Sequence, residues 1–278
     1  MKMRIRAWPF VLVFLVAAGE VGAQFTAAEA AERPLWEEFL KTAEIVKWEE
    51  VGEGVTKPIR LTLRKDGLEA RGLWKNPSGK RSGFLEGWQY EIAAYEIDKL
   101  LGLGMIPPTV EREFQGRRGS LQFWVSVKHS LLKVMEERIP VPETAWDGIN
   151  RMKYIIRAFD SLIANEDRTQ QNLLYTEDWR TIAIDHSRSF RSSRRHFKRL
   201  MNGRNGIKSG DDGRPFLFRL LPRAMVEAIR GLDRAKLDQA VGPFLTETEI
   251  QAVLARRRLL LDEIALMIKE QGEDRVLY

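Results

Sequence analysis

The sequence predicts an α+β protein of two lobes: a small antiparallel sheet with one helix, followed by a mainly helical lobe. Two stretches of alternating apolar and polar residues, 59–63 and 68–74, flank the hairpin signal Asp66-Gly67. Residues 109–114 and 121–127 predict a second hairpin. Beyond about residue 128 the strand signal fades and helical periodicity takes over.

Composition excludes several classes of protein. The chain has 278 residues, 44% of them hydrophobic and 30% charged, which argues against a disordered or collagen-like chain. Cysteine is absent, and this excludes disulfides, cysteine-ligated zinc, iron–sulfur clusters and a cysteine nucleophile. Only three histidines are present, so a multi-histidine metal site is disfavoured.

The first residues resemble a targeting signal. Lys2, Arg4 and Arg6 precede an apolar run over 7–19, and small residues occupy Val21-Gly22-Ala23. This pattern predicts a signal peptide over 1–23, cleaved after Ala23, and export to a periplasm or to the exterior. An uncleaved membrane anchor and a buried core helix are the alternatives. The remainder of the chain contains no stretch long and apolar enough to span a membrane, so the mature chain is expected to have no transmembrane span.

The first lobe is assigned to residues 35–126 and the second to residues 127–278, with the junction near 124–128. Within the first lobe, the pattern predicts a helix from Pro34 through Val46, a glycine- and serine-rich loop over 76–83 and a helix over 86–101. In the second lobe a strong helix covers 149–163, and a short hairpin follows at 173–175 and 181–184. A capping box at Thr246 to Glu249 opens the last helix.

The residues that carry chemistry concentrate between 165 and 190. Asp167 and Asn172 lie in a polar segment after the strong helix, and Asp185 ends the next strand. Phosphoryl transfer from ATP needs one carboxylate that orients the attacking hydroxyl, together with oxygen ligands that hold Mg²⁺ or Mn²⁺ against the phosphates. Asp167 suits the first role, and Asn172 and Asp185 suit the second. The alternative is that Asp167 caps a turn and Asp185 ends a surface strand.

Asp167-Arg168-x-x-x-Asn172 followed by an apolar strand and Asp185 resembles the catalytic loop and metal motif of the protein-kinase-like superfamily. The atypical branches are the most similar: secreted kinases of the Fam20 family, phosphatidylinositol 3-/4-kinases and HipA-like kinases. The resemblance implies a bilobal kinase-like fold and an ATP-dependent phosphotransferase. Such an enzyme moves the γ-phosphoryl group to a hydroxyl on a protein, lipid or sugar, with Mg²⁺ or Mn²⁺.

The same resemblance assigns residues of the first lobe. Lys75, at the end of a strand, would contact the ATP phosphates, and Glu91, in the next helix, would pair with it; Lys80 and Glu96 are rivals for these roles. A phosphate-covering turn and an adenine site between the lobes are also implied. Their candidates are Gly52, Gly54 and Thr56 for the turn, and Gln122 and Val125 for the adenine site.

The sequence departs from the ordinary kinase pattern at two points. His186-Ser187 follows the metal Asp where a glycine is expected, and Glu166 replaces the histidine that precedes Asp-Arg in ordinary protein kinases. Both departures affect the expected substrate class more than nucleotide binding.

A basic stretch follows Asp185, with no acidic residue before Asp211. Arg188, Arg194 and Arg195 are the candidates for binding an acceptor that is acidic or phosphorylated. A solvated, flexible loop is the alternative for this stretch.

Two other functions compete with the enzyme. One is a nucleotide-binding pseudokinase or scaffold that keeps the site but regulates a partner. The other is a basic surface-binding module without catalysis, suggested by the net charge of +6. A secretion signal argues against nucleic acid as the partner.

Overall fold

The first lobe is built on a five-stranded antiparallel sheet in the order β1-β2-β3-β7-β6. In this computed structural model, which describes residues 25–52, 58–81 and 83–278, every second residue of β2 faces the core. The strands are β1 (Glu44–Glu50), β2 (Ile59–Lys65), β3 (Leu68–Lys75), β6 (Thr109–Phe114) and β7 (Arg117–Phe123). Leu61, Leu63, Trp74 and Leu121 form one apolar face of the sheet. Two short helices precede the sheet, α1 (Ala27–Ala31) and α2 (Arg33–Thr42), and Phe39 and Leu40 of α2 cover this core.

The start of the first lobe differs from the sequence prediction. The helix predicted from Pro34 through Val46 ends at Thr42, and residues 44–50 form strand β1 instead. Val46 and Trp48 are residue types that favour strands, and β1 pairs with β2 along its length. A short apolar run of this kind does not by itself distinguish helix from strand.

The segment predicted as a loop over 76–83 forms, with the residues that follow it, a second hairpin of two strands. Its strands are β4 (Ser78–Arg81) and β5 (Phe84–Gly87), and residue 82 lies outside the described part. The helix predicted to begin at Glu86 therefore begins later, as α3 (Gln89–Leu101). It ends at Gly102, whose φ of 64° suits a residue without a Cβ.

Helix α3 connects the lobes because its buried side chains belong to the apolar core of the second lobe. Tyr95 and Ile97 pack in the same cluster as Phe159 of α5 and Leu260 of α9. The second lobe is mainly helical, as predicted, with a three-stranded sheet in the order β10-β9-β8. Its elements are β8 (His129–Ser130), α4 (Leu131–Glu136), α5 (Glu143–Ile163), β9 (Leu173–Tyr175), β10 (Thr181–Ala183), α6 (Arg194–Lys198), α7 (Arg223–Arg230), α8 (Arg234–Val241) and α9 (Glu247–Gln271).

Two hydrogen bonds join the lobes. The amide of Gly87 in β5 donates to the carbonyl of Ser187 at 3.0 Å. The Tyr90 hydroxyl of α3 donates to Glu249 of α9 at 2.5 Å. Of the helices in the described ranges, none combines the length and apolar character needed to cross a membrane. The predicted signal peptide over 1–23 lies outside those ranges.

Candidate active site

An ion pair at the junction of the lobes joins the last residue of β3 to helix α3. Lys75 Nζ lies 2.9 Å from Glu91 Oε1, and the two residues are only 9% and 2% exposed. Strand β7 passes close to this point: a Cβ on Gly119 would lie 2.5 Å from the Lys75 carbonyl oxygen. Of the two rivals, Lys80 is exposed on β4 and Glu96 pairs with Lys99 at 3.0 Å. The structure therefore brings together Lys75 and Glu91 rather than Lys80 or Glu96.

Asp185 completes a triad around the same ammonium group. Its Oδ1 lies 3.0 Å from Lys75 Nζ, and the other oxygen of Glu91 accepts the backbone N–H of His186 at 2.9 Å. The triad thus combines β3, α3 and the segment that follows β10. The side chains of Glu91 and Asp185 thus contact the Lys75 ammonium from two different elements.

Mutual contact fixes the charges of the triad. Burial lowers the pKa of Lys75, but Asp185 and Glu91 outweigh it and hold that pKa above its ordinary value. Burial alone would raise the pKa of Asp185, yet the adjacent Lys75 lowers it to about 2. For Glu91 burial is the larger effect, and its pKa is raised despite the contact with Lys75. Lys75 is therefore cationic and Asp185 anionic at neutral pH.

A loop after α5 presents Asp167 on the same side of the cleft. Ala164 ends the helix with a φ of 50°, and the chain then turns about Asn165. The Asn165 side chain donates to Asp160 Oδ1 and accepts the backbone N–H of Asp167, both at 3.0 Å. This local bonding positions Asp167, the residue predicted to orient the attacking hydroxyl.

Arg168 holds the loop in place through hydrogen bonds. Its guanidinium donates two hydrogen bonds of 3.0 Å to the carboxylate of Asp160. It also donates to the carbonyls of Asn172 and Ile184, at 3.2 Å and 2.8 Å. One side chain thus joins α5, the residue proposed to bind metal and the residue before Asp185. A guanidinium fork suits such a site and an ammonium does not.

His186 is buried and neutral in this network. Burial, and then the nearby Arg168, lower the pKa of its imidazole well below the ordinary value. Nη2 of Arg168 lies 2.8 Å from His186 Nε2, and since the guanidinium can only donate, that ring nitrogen accepts. His186 therefore accepts a hydrogen bond from the arginine that holds the loop.

Asn172 and Asp185 are hard oxygen donors held on adjoining backbone segments. The Ile184 amide donates to the Asn172 carbonyl at 3.1 Å. The Asn172 side chain donates its N–H to the Asp167 carbonyl at 2.8 Å, which leaves the carboxamide oxygen available. No cluster of three or more His, Cys, Asp or Glu ligands occurs within the described ranges. A divalent cation would therefore take two protein oxygens and complete its shell with phosphate and water, which is the usual pattern for Mg²⁺.

The Asp167 carboxylate itself contacts Arg188. Nη1 of Arg188 lies 3.2 Å from Asp167 Oδ2, and its Nη2 lies 2.5 Å from Glu86 of β5. Burial raises the pKa of Asp167; Arg188 opposes this and Asp185 reinforces it, so that the pKa stays above its ordinary value. Arg188 was predicted to bind the acceptor, but it is engaged by two carboxylates.

The other predicted acceptor residues lie apart from this contact. Arg194 and Arg195 are exposed on α6 and make no ion pair with any residue in the described part of the chain. Arg191 contacts Glu166, which also approaches His196 at 3.5 Å. Thus Arg188 and Arg191 are paired near the loop, whereas Arg194 and Arg195 are exposed on α6.

Only some of the residues predicted to bind the nucleotide lie in the described part of the chain. Gly52 has a φ of 74°, whereas Gly54 and Thr56 lie outside the described residues. The Gln122 side chain donates to the Thr109 hydroxyl at 2.9 Å, so it is used inside the sheet. Val125 is half-buried in the connection between the lobes, where the amides of residues 125–127 bond no described backbone carbonyl.

Sequence reasoning missed Asp160 and Glu86. Asp160 had a signal: it is an acidic residue among apolar neighbours in a strong helix, and such a carboxylate requires a cationic or hydrogen-bonding partner. Glu86 had none, because its partner Arg188 is distant in the sequence.

Known structures share this architecture, although no family model matches the sequence and a comparison with curated proteins gives no match. A hydra Fam20 structure with sugar aligns with a TM-score of 0.60 at 15% identity, covering 89% of this chain and 92% of that one. The Golgi casein kinase with Mn/ADP bound aligns with a TM-score of 0.61 at 15% identity, covering 89% and 79%. The Helicobacter pylori proinflammatory kinase CtkA aligns with a TM-score of 0.53 at 12% identity, covering 84% and 96%. The chain therefore has a protein-kinase-like fold.

Proposed function

We propose that the protein is an ATP-dependent phosphotransferase that moves the γ-phosphoryl group to a hydroxyl acceptor. The observation that carries this proposal is the triad formed by the buried pair Lys75 and Glu91 with the half-buried Asp185, with Asp167 on the adjoining loop. An ammonium held between two carboxylates inside a lobe junction is costly to bury. The arrangement suits a polyphosphate and its metal better than it suits stability alone.

Each residue then has a role. Lys75 would bind the phosphates, and Glu91 would hold Lys75 in place. Asn172 and Asp185 would hold Mg²⁺ or Mn²⁺, which would neutralise phosphate charge; the Golgi casein kinase structure contains Mn/ADP. Half-buried backbone near Val125 would accept the adenine, and the turn at Gly52, Gly54 and Thr56 would cover the phosphates.

Asp167 is the proposed proton acceptor in the transfer step. The acceptor oxygen forms a bond to the γ-phosphorus while the bond from that phosphorus to the β–γ bridging oxygen breaks, which leaves ADP. The hydroxyl proton passes to the Asp167 carboxylate. Because the pKa of Asp167 is raised, this carboxylate is a better proton acceptor than an exposed aspartate.

The experiment is transfer of label from γ-labelled ATP to a panel of hydroxyl acceptors with Mn²⁺ or Mg²⁺. The wild type is expected to transfer label, and Asp167→Asn to lose about 10²- to 10⁴-fold in rate. Asp178→Asn, an exposed acid in the turn between β9 and β10, is the control and should retain full activity. Full activity in Asp167→Asn would contradict the proposal.

A second candidate is a nucleotide-binding scaffold without catalysis. The contact between Arg188 and Asp167 favours it, because a guanidinium occupies one oxygen of the proposed base. In that case the protein would bind nucleotide and metal but transfer no label to any acceptor.

We further propose export, on the basis of the N-terminal pattern over residues 1–23. The expected mature chain begins at Gln24. Mass measurement of the protein isolated from its native host checks this, and an intact Met1 to Ala23 segment would contradict it.

A further inference from the structure

A cavity of about 480 Å³ lies in the second lobe, next to the loop that carries Asp167. Helix α5, strand β9 and the segment between α6 and α7 contribute to its wall, and so do Thr169 and Gln170 of the loop. None of the residues proposed to bind the phosphates, the metal or the attacking hydroxyl lines it. A molecule bound in this cavity would therefore not be a reactant of the proposed transfer.

The size and the apolar part of the wall suit a small molecule with a hydrocarbon body. Ligand pockets commonly measure about 300–1,000 Å³ and combine mostly apolar walls with a few polar groups. Helices α4 and α5, strand β9 and the segment before α7 supply the apolar side chains here, which are Leu131, Ile149, Met152, Ile156, Leu173 and Phe216. Contact with such a wall removes the hydrocarbon surface of a ligand from water, which favours binding.

The charged side chains of the wall are mostly cationic: Lys153, Arg157, Arg168 and Lys208 against Asp160. Arg168 pairs with Asp160 at 3.0 Å. Arg157 donates to a backbone carbonyl at 2.8 Å, and Lys153 donates to an exposed carboxamide at 3.4 Å. These contacts leave Lys208 as the cation to be explained.

The Lys208 ammonium is half-buried, yet it makes no hydrogen bond or ion pair with any residue in the described part of the chain. Burial lowers the pKa of this ammonium below its ordinary value, and attraction to Asp160 only partly offsets that effect. The fold therefore disfavours the charged form of Lys208. A half-buried cation in a cavity wall is stabilised when a ligand supplies an anion.

We propose that this cavity is a second ligand site, separate from the cleft, and that it binds a small amphipathic anion. A carboxylate or phosphate group of the ligand pairs with Lys208, and the hydrocarbon part lies against the apolar wall. An anion makes an ion pair with the ammonium, which a neutral hydroxyl cannot do. The inference rests on the cavity and on Lys208 and not on the proposed function, because the ligand takes no part in the transfer.

Calorimetric titration of the full chain with octanoate, octyl phosphate and octan-1-ol tests the site. The three probes have similar hydrocarbon chains and differ in the head group, so they separate a carboxylate and a phosphate from a neutral hydroxyl. At least one anionic probe is expected to bind 10-fold or more tightly than octan-1-ol. Addition of ADP with Mn²⁺ should change that affinity less than twofold, because the nucleotide cleft is a different site.

Variants locate the two parts of the ligand. Lys208→Met and Lys208→Gln should each reduce the preference for the anion to less than twofold. Ile149→Trp should weaken all three probes by similar factors, because the larger side chain occupies space in the apolar part of the cavity. Lys198→Met is the matched control and should keep the full preference, since Lys198 is exposed in the same basic stretch and does not line the cavity.

Urea unfolding without any probe gives a second readout. Lys208→Met is expected to be at least as stable as the wild type, because the substitution removes a half-buried charge and breaks no ion pair. A clear loss of stability in this variant would mean that Lys208 has a structural role, and it would overturn the inference.

The binding data overturn the inference in any of five cases. Octan-1-ol binds as tightly as both anions, none of the three probes binds, ADP with Mn²⁺ displaces the preferred anion, both Lys208 variants keep the preference, or Ile149→Trp leaves every affinity unchanged. The two proposals fail separately. Absence of label transfer with every acceptor leaves this ligand site intact, and absence of the anion preference leaves the phosphotransferase proposal intact.

Discussion

Arg188 Nη1 lies 3.2 Å from Asp167 Oδ2, and the same guanidinium holds Glu86 of the first lobe at 2.5 Å. The proposed base is therefore paired with an arginine that also contacts the first lobe. This contact opposes the effect of burial on the pKa of Asp167.

Replacing Arg188 by Gln is expected to change the pH dependence of transfer. Arg188 lowers the pKa of Asp167, so its loss raises that pKa further. A higher pKa for the base moves the acid limb of the kcat/KM profile to higher pH. The pH–rate profile measures this shift. Arg195→Gln removes an exposed arginine of the same stretch and should leave the profile in place. An acid limb that stays fixed or moves to lower pH in Arg188→Gln would show that Arg188 does not lower the pKa of Asp167.

Removing Lys75 should cost both stability and activity. Lys75→Met leaves Glu91 buried without its cation, which typically costs about 3–5 kcal/mol in the free energy of unfolding. Glu91→Leu in the same chain removes that stranded carboxylate, so the double variant should regain part of the loss. Urea unfolding measures the stability. Neither variant should recover transfer, because no ammonium contacts the phosphates. A Lys75→Met protein as stable as the wild type would contradict the buried ion pair.

Tyr90 is expected to affect stability rather than chemistry. Its hydroxyl donates to Glu249, which also closes the capping box of α9 at Thr246. Tyr90→Phe keeps the ring packing against Phe190 and loses only the hydrogen bond, at a cost of about 1.5–3 kcal/mol in the free energy of unfolding. Thermal or urea unfolding checks this, with Tyr154→Phe as the control. A variant of unchanged stability that has lost transfer would mean that this bond supports catalysis instead.

The sequence predicted the parts of this molecule that depend on local pattern. Alternation identified β2 and β3 with close bounds, because one face of each strand is buried. The order of Asp167, Asn172 and Asp185 predicted a common site because a short hairpin returns the chain to the loop. The same reasoning failed at β1, where a short apolar run continued a helical pattern although the strand pairs with β2.

Contacts between residues that are far apart in the sequence could not be predicted from local pattern. The pairing of Arg188 with Glu86 joins residues far apart in the chain, and nothing local indicates which acid an arginine will meet. Lys208 was one of several basic residues in a polar stretch, and only the folded chain shows that it faces a cavity. Burial and ion pairing depend on the folded structure, and they determine which Lys and Arg side chains remain available to bind a ligand.

The central claim is that Asn172 and Asp185 hold a divalent cation against the phosphates of a nucleotide beside Lys75. Anomalous diffraction from crystals of the full chain grown with ADP and Mn²⁺ tests it most directly. We expect one manganese peak within about 2.0–2.3 Å of the Asn172 carboxamide oxygen and an Asp185 carboxylate oxygen, next to the nucleotide phosphates. Nucleotide bound without manganese at these two side chains, or manganese bound elsewhere on the protein, would contradict the account.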